Sequence, residues 1–204
     1  MMKNIFSAIE NLVINNRRTL IAIAGPPAAG KSTVSEELIT YFGSTATILP
    51  MDGFHLDNQI LMNRGILQRK GSPESFDFNG FLNMIKRIKA GENVIAPKFD
   101  RGMDLSVAGA IEIRDQNLII IEGNYLLFNE QPWISLQDYW SFAIWLEVKE
   151  SILKSRLIQR WIDYGYDKQG AQERAVSNDL PNMKRVIDSK FINKNLASIT
   201  VTNG

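Results

Sequence analysis

The stretch that decides the reading is 19–32: Thr19-Leu-Ile-Ala-Ile-Ala24, followed by Gly25-Pro-Pro-Ala-Ala-Gly-Lys-Ser32. The first six residues form a short apolar run, β-branched in part, with the length of a buried strand. The next eight fit G-x-x-x-x-G-K-[ST], and a helical pattern from about Lys31 to Phe42 follows, so the string stands between a strand and a helix. Gly25 and Gly30 let the backbone curl close to an anion without a side-chain clash. The loop N–H groups then converge at a helix N-terminus, where they and the macrodipole favour negative charge. Lys31 adds a point charge for the β- and γ-phosphates, and the Ser32 hydroxyl suits a magnesium ion. The candidate nucleotide-binding residues are Gly25, Pro26, Ala28, Ala29, Gly30, Lys31, Ser32 and Thr33. Without the flanking strand and helix, the same string would be only a Gly/Ala loop.

Outward from this loop, Thr45 to Leu49 reads as a second strand with Asp52 just beyond it. Asn117-Leu-Ile-Ile-Ile-Glu122 reads as a third, Ser141 to Val148 as a fourth and Ala197 to Val201 as a fifth. Helical patterns cover Asn79 to Ala90, Glu150 to about Tyr164, and Gln169 to Asn178, where Pro181 is expected to break the helix. Strands alternating with helices imply an α/β fold: three α/β/α layers around a mostly parallel five-stranded sheet of the P-loop NTPase type. One domain, 1–204, is expected, with an N-terminal helix over about 3–16 that docks through Ile5, Phe6, Ile9, Leu12 and Val13. The region 63–75 reads as a loop over the site, and 150–178 as a helical lid.

In such sheets ligands sit outside the carboxyl ends of the strands. Gly25, Asp52 and Glu122 all fall there. Glu122 is the second candidate metal ligand after Ser32, a carboxylate able to hold magnesium directly or through water. A solvated acid at a strand end is the plainer alternative. Asp52 is positioned to take a proton from an attacking hydroxyl, and a helix N-cap is its structural alternative.

Composition removes other chemistries. The chain has 204 residues, 45% of them hydrophobic, which supports a packed core. Its 23 basic and 22 acidic residues give a net charge of +1, so the basic excess of a nucleic-acid grip is missing. There is no cysteine, which excludes thiolate catalysis and Cys-based zinc, and the single histidine, His55, excludes a His-rich metal cage. No apolar segment reaches transmembrane length, and the start lacks the continuous apolar run of a signal peptide. A cytoplasmic protein with no membrane or nucleic-acid partner is the expectation. The oligomeric state stays open, a homodimer included.

Gly25–Thr33, Asp52-Gly-Phe-His55, Pro97-Lys-Phe-Asp-Arg101, Ile121-Glu-Gly-Asn-Tyr125 and Arg156-Leu-Ile-Gln-Arg160 occur in the order seen in the uridine kinase, phosphoribulokinase and bacterial pantothenate kinase superfamily. The chain resembles that superfamily over nearly its whole length. It looks closest to a bacterial nucleoside/nucleotide kinase-like, or fructose-transport-system kinase-like, branch in which MDGFHLDN, RKGSPESFDF, FDR and EGNYLL recur together. The resemblance implies that Asp52 is the catalytic base, and that Lys70, Phe99, Asp100 and Arg101 line an acceptor pocket. From the residues alone, Arg101 suits a carboxylate or phosphate and Phe99 an apolar wall, while a surface turn with one salt bridge is the bland reading. His55 is a candidate substrate contact or a satisfied structural histidine. Tyr125, with Asn124, either binds acceptor hydroxyls or caps the next segment.

Arg156 and Arg160 share a helix face. They are candidate catalytic cations with Lys31 and Asp52, or else a solvated basic face. In kinases that resemble this chain such arginines sit on a lid; Arg174 is the third candidate. Strings similar to 178–182 lie near the adenine end of ATP in the branch. Trp133, Trp140, Trp145 and Trp161 read mainly as core or interface packing. The activity expected is ATP- and magnesium-dependent transfer of a phosphoryl group to a hydroxyl of a small metabolite: a nucleoside, a pantothenate-like or a sugar-like acceptor. The rivals are a nucleotide-binding regulatory NTPase without acceptor, a GTPase, for which Asn193-Lys-Asn-Leu196 lacks the base-reading Asp, and a nucleoside monophosphate kinase, which needs no general base.

Overall fold

A computed structural model describes residues 2–15 and 18–202. Helix α1, Met2–Asn15, leads into β1, Thr19–Ala24, and α2, Lys31–Phe42. Residue 16 of the expected N-terminal helix lies outside the described residues. Strand β2, Ala46–Pro50, runs into a tight helical turn, Met51–Phe54. Helices α3, Asn58–Asn63, and α4, Phe78–Lys89, flank two further short turns. Strands β3, Val94–Asp100, and β4, Leu105–Ile113, form a hairpin. Then follow β5, Leu118–Gly123; β6, Phe142–Glu147; α5, Glu150–Asp163; α6, Lys168–Arg174; α7, Leu180–Asp188; and β7, Ser198–Thr202.

The main sheet has the order β2-β5-β1-β6-β7, and each of its pairings is parallel. Being covered on both faces, its strands read as apolar runs rather than alternating ones. The period of two still sorts the side chains. Leu20, Ala22 and Ala24 pack with Phe81, Ile85 and Ile88 of α4, and with Trp133, on one face. Ile21 and Ile23 pack with Ile5 and Ile9 of α1, Val34 and Leu38 of α2, and Leu153 and Leu157 of α5 on the other. These are the three expected layers. Helix α4 shows the local logic: the Asp77 carboxylate caps it by accepting from Gly80 N–H at 2.9 Å, and Lys86, Arg87 and Lys89 oppose the dipole at its end.

Two expectations change. The hairpin β3–β4 is absent from the sequence reading. Pro97 argues against an interior strand, and a register irregularity between Ala96 and Lys98 is where the ladder accommodates it. Strand β4 is exposed along most of its length, so it carries no apolar alternation to read. Pro181 does not break the lid helices. Residues Ala175–Asp179 form a π-helical turn, and Pro181 sits in the first turn of α7, where its missing N–H costs little. The helices expected over 150–164 and 169–178 are present as α5 and as α6 with that π turn. The 63–75 loop contains two short helical turns.

Candidate active site

Register brings the predicted groups level. Pro50 and Ile23 both pair with Glu122, and Ala24 pairs with Gly123. Gly25, Asp52 and Glu122 therefore meet at one end of the sheet.

The loop from Gly25 to Gly30 packs tightly. A Cβ on Gly25 would meet the Leu146 carbonyl oxygen of β6 at 2.9 Å, so glycine is required by close backbone approach. Ala28 takes a positive φ of 66° and Gly30 one of 91°. Gly30 caps α2 without a side-chain hydrogen bond, which leaves first-turn N–H groups for a ligand. Ala29 is buried, its N–H donating to Pro26 carbonyl at 3.2 Å. Lys31 is buried, and its Nζ donates to the carbonyls of Gly25 (3.1 Å) and Pro26 (3.0 Å) and to Asn124 Oδ1 (2.7 Å). Burial pulls the Lys31 pKa down, against Glu122 and Asp52. Thr33 is exposed and outside the cavities described below.

A cavity of about 410 Å³ is lined by Ser32, Asp52, Arg101 and Glu122, together with Pro50, Lys98 and Phe99. Burial pushes the Glu122 carboxyl up, against the pull of Lys31. Such a carboxylate gains from a cation brought beside it. The Ser32 hydroxyl and the two carboxylates are hard oxygen donors of the kind magnesium takes. Among the described residues no group of three His, Cys, Asp or Glu side chains forms a cage.

A second cavity, of about 400 Å³, shares Asp52, Phe99 and Arg101 with the first. It adds His55, Lys70 and Asn124, and, from α5, α6 and the turn between them, Arg160, Trp161, Tyr164, Tyr166 and Arg174. Arg101 Nη2 lies 3.4 Å from Asp52 Oδ2. Lys70 Nζ reaches Asp104 Oδ1 at 2.9 Å and Asn58 Oδ1 at 2.7 Å, tying the hairpin tip to the acceptor-side loop. The Arg160 and Asp179 side chains pair at 3.2 Å, and Trp161 Nε1 donates to the same carboxylate at 2.5 Å. The Arg160 and Arg174 guanidiniums stand 5.8 and 5.2 Å from the Trp161 ring.

Three predicted residues stand elsewhere. Asp100 Oδ1 accepts from Met103 N–H at 2.9 Å and holds the hairpin turn. Arg156 Nη1 donates to the Ala28 carbonyl at 3.2 Å, touching the loop rather than lining either cavity. Tyr125 is buried among Phe76, Phe128 and Trp133, its hydroxyl donating to Gly71 carbonyl at 2.5 Å. Tyr125→Phe is expected to cost about 1 kcal/mol by stranding that carbonyl, read as a lower melting temperature.

Trp133, Trp140 and Trp145 are buried, while Trp161 packs on the core in part and also lines the second cavity. Asn178, Asp179 and Asn182 line the second cavity. Tyr164-Gly-Tyr166, aromatics about a glycine between two helices, is the sequence signal for this wall of the cavity.

Residues 20–201 match the Phosphoribulokinase / Uridine kinase family. A solved structure from Silicibacter sp. TM1040, a proposed fructose transport system kinase, is 43% identical, covers 89% of each chain and superposes with a TM-score of 0.83. The uncharacterized protein YggC of Escherichia coli K12 is 34% identical over 176 residues, which is 84% of this chain and 73% of that one. C227.14 of Schizosaccharomyces pombe, a proposed uridine kinase, is 29% identical over 95% of this chain and 86% of its own length. The chain belongs to the Phosphoribulokinase / Uridine kinase family and is a P-loop kinase, an enzyme that transfers phosphoryl groups.

Proposed function

We propose that this enzyme moves the γ-phosphoryl group of ATP, with magnesium, onto a hydroxyl of a small metabolite. The carrying observation is the position of Asp52 on the wall common to both cavities. A carboxylate there is reached from the phosphate cradle and from the acceptor side at once.

The loop amides and Lys31 hold the polyphosphate, Lys31 exchanging its present oxygen partners for phosphate oxygens. Ser32 and Glu122 would hold magnesium, which would supply charge neutralisation at the transferring group. Asp52 accepts the acceptor hydroxyl's proton as the oxygen bonds to the γ-phosphorus and the bridge to ADP breaks. Arg101, 3.4 Å from that carboxylate, helps to orient it. Helices α5 and α6 serve as the lid: Arg160 faces the cavity, and Arg156 braces the cradle from outside. Their approach excludes water and limits wasteful hydrolysis. A third cavity, of about 460 Å³, is lined by Pro26, Trp145, Lys149 and Lys190 and is the candidate site for the base.

The test is ADP release under MgATP across pantothenate, uridine, D-fructose and D-glycerate. At least one should stimulate release well above the acceptor-free rate, and ATP should compete off labelled GTP. Tight ATP binding with no stimulation by any of them would favour a regulatory NTPase instead. The cavity opposite Asp52, with its cations and aromatic faces, has no use in such a module.

A further inference from the structure

Asn124 follows directly after β5 and joins the two halves of the site. Its Oδ1 accepts from Lys31 Nζ at 2.7 Å, the shortest of the three bonds that this ammonium makes. An ammonium only donates, so the amide oxygen faces Lys31 and the amide nitrogen is turned away from it. Among the described residues that nitrogen has no hydrogen-bond partner, and it is not an enclosed orphan; Asn124 lines the second cavity. One half-buried amide thus touches the loop lysine at one end and the space beside Asp52 and Arg101 at the other.

An ammonium has three hydrogens, and all of them are in use here. A phosphate oxygen takes one only by displacing a present partner. Two of the partners are main-chain carbonyls of the loop itself. Gly25 is packed against the Leu146 carbonyl, and the Pro26 carbonyl also accepts from Ala29 N–H at 3.2 Å. Neither withdraws without reshaping the loop that would hold the phosphates. Asn124 is a side chain on rotatable bonds and withdraws alone. We propose that Asn124 couples the two halves of the site: a polyphosphate displaces it from Lys31 first, and the freed amide oxygen then becomes available to a ligand in the second cavity. In the empty protein the amide offers that cavity only its N–H donors; with the loop filled it offers a donor and an acceptor. Each ligand therefore tightens the other by the same factor. The coupling rests on the transfer reaction proposed above; the resting hold on Lys31 does not.

Calorimetric titration of the wild-type protein and of Asn124→Ala with magnesium and the non-hydrolysable analogue AMP-PNP reads the first step. The empty variant lacks a bond that the filled wild type does not have either. It should therefore bind AMP-PNP about tenfold more tightly, the worth of one hydrogen bond to a charged group. A residue that merely supports the loop would weaken binding when removed, so equal or weaker binding overturns the proposal. Asn124→Ser, too short to hold Lys31 yet still polar at the cavity wall, should show the same gain and serves if the alanine variant does not fold. For the second step, whichever of pantothenate, uridine, D-fructose and D-glycerate turns over is titrated with and without AMP-PNP. In the wild type its Kd should fall at least about fivefold with AMP-PNP present, and in Asn124→Ala the ratio should be about one. A ratio preserved in the variant also overturns the proposal. Silence from all four acceptors strikes the transfer reading alone, since the first titration uses the nucleotide by itself.

Discussion

Asp52→Asn will lower acceptor-dependent turnover by about 100- to 10,000-fold, the usual contribution of a positioned general base, while ATP affinity stays within a few-fold. The amide keeps the shape of the carboxylate and its place at the end of β2, but it cannot take a proton. The ion pair to Arg101 is lost as well. At 3.4 Å, and with the Arg101 side chain 57% exposed, its loss costs under about 1 kcal/mol of stability. Fold and cradle should therefore survive, which makes the variant diagnostic. Initial rates of ADP release, beside an ATP titration on the same preparation, measure both quantities. Turnover at the wild-type rate would remove Asp52 from the chemistry.

Gly53→Ala should damage the same site through the backbone. A Cβ at residue 53 would stand 2.3 Å from the Pro97 carbonyl oxygen and 2.8 Å from its carbon. Neither atom belongs to a flexible side chain, so the hairpin must move. Phe99 and Arg101 ride on it, and Asp52 and His55 flank the substituted residue. Overpacking of this kind costs about 1–3 kcal/mol, and misplacement of reacting groups by about 1 Å costs about 100-fold in rate. Gly43→Ala is the matched comparison. There a Cβ meets nothing within 4 Å, and only the positive φ of 58° opposes it. Its activity should be unchanged. Equal rates for the two variants would show that the hairpin does not set the acceptor cavity.

The cradle and the parallel sheet were legible because local chemistry and long-range packing agree there. The run 19–24 must be buried on both faces, and the loop after it needs its glycines whatever surrounds them. The hairpin was not legible, because its position is set by contact between Gly53 and Pro97, forty-four residues apart, and not by any pattern along β4. Tyr125 shows the opposite failure. It follows Glu122 in sequence as a ligand-binding residue would, yet chain direction after β5 turns it into the core, where Gly71 takes its hydroxyl. Asp100 and Arg101 are neighbours with separate duties: Asp100 ends β3 and holds the turn, while Arg101, in the turn itself, lines both cavities. Trp161 could not be told from the three core tryptophans by composition alone. Its two arginine neighbours come from different helices, brought together only by the fold.

The resting partners of Lys31 carry one more consequence. Its ammonium is already satisfied by three oxygens of its own chain, so an incoming anion must displace one of them for each direct hydrogen bond it takes from that charge. Orthophosphate offers too few contacts for this exchange, whereas a tri- or diphosphate also engages the loop amides. The empty enzyme should thus act as a length gauge, staying unoccupied in millimolar inorganic phosphate and filling only with chains of linked phosphates.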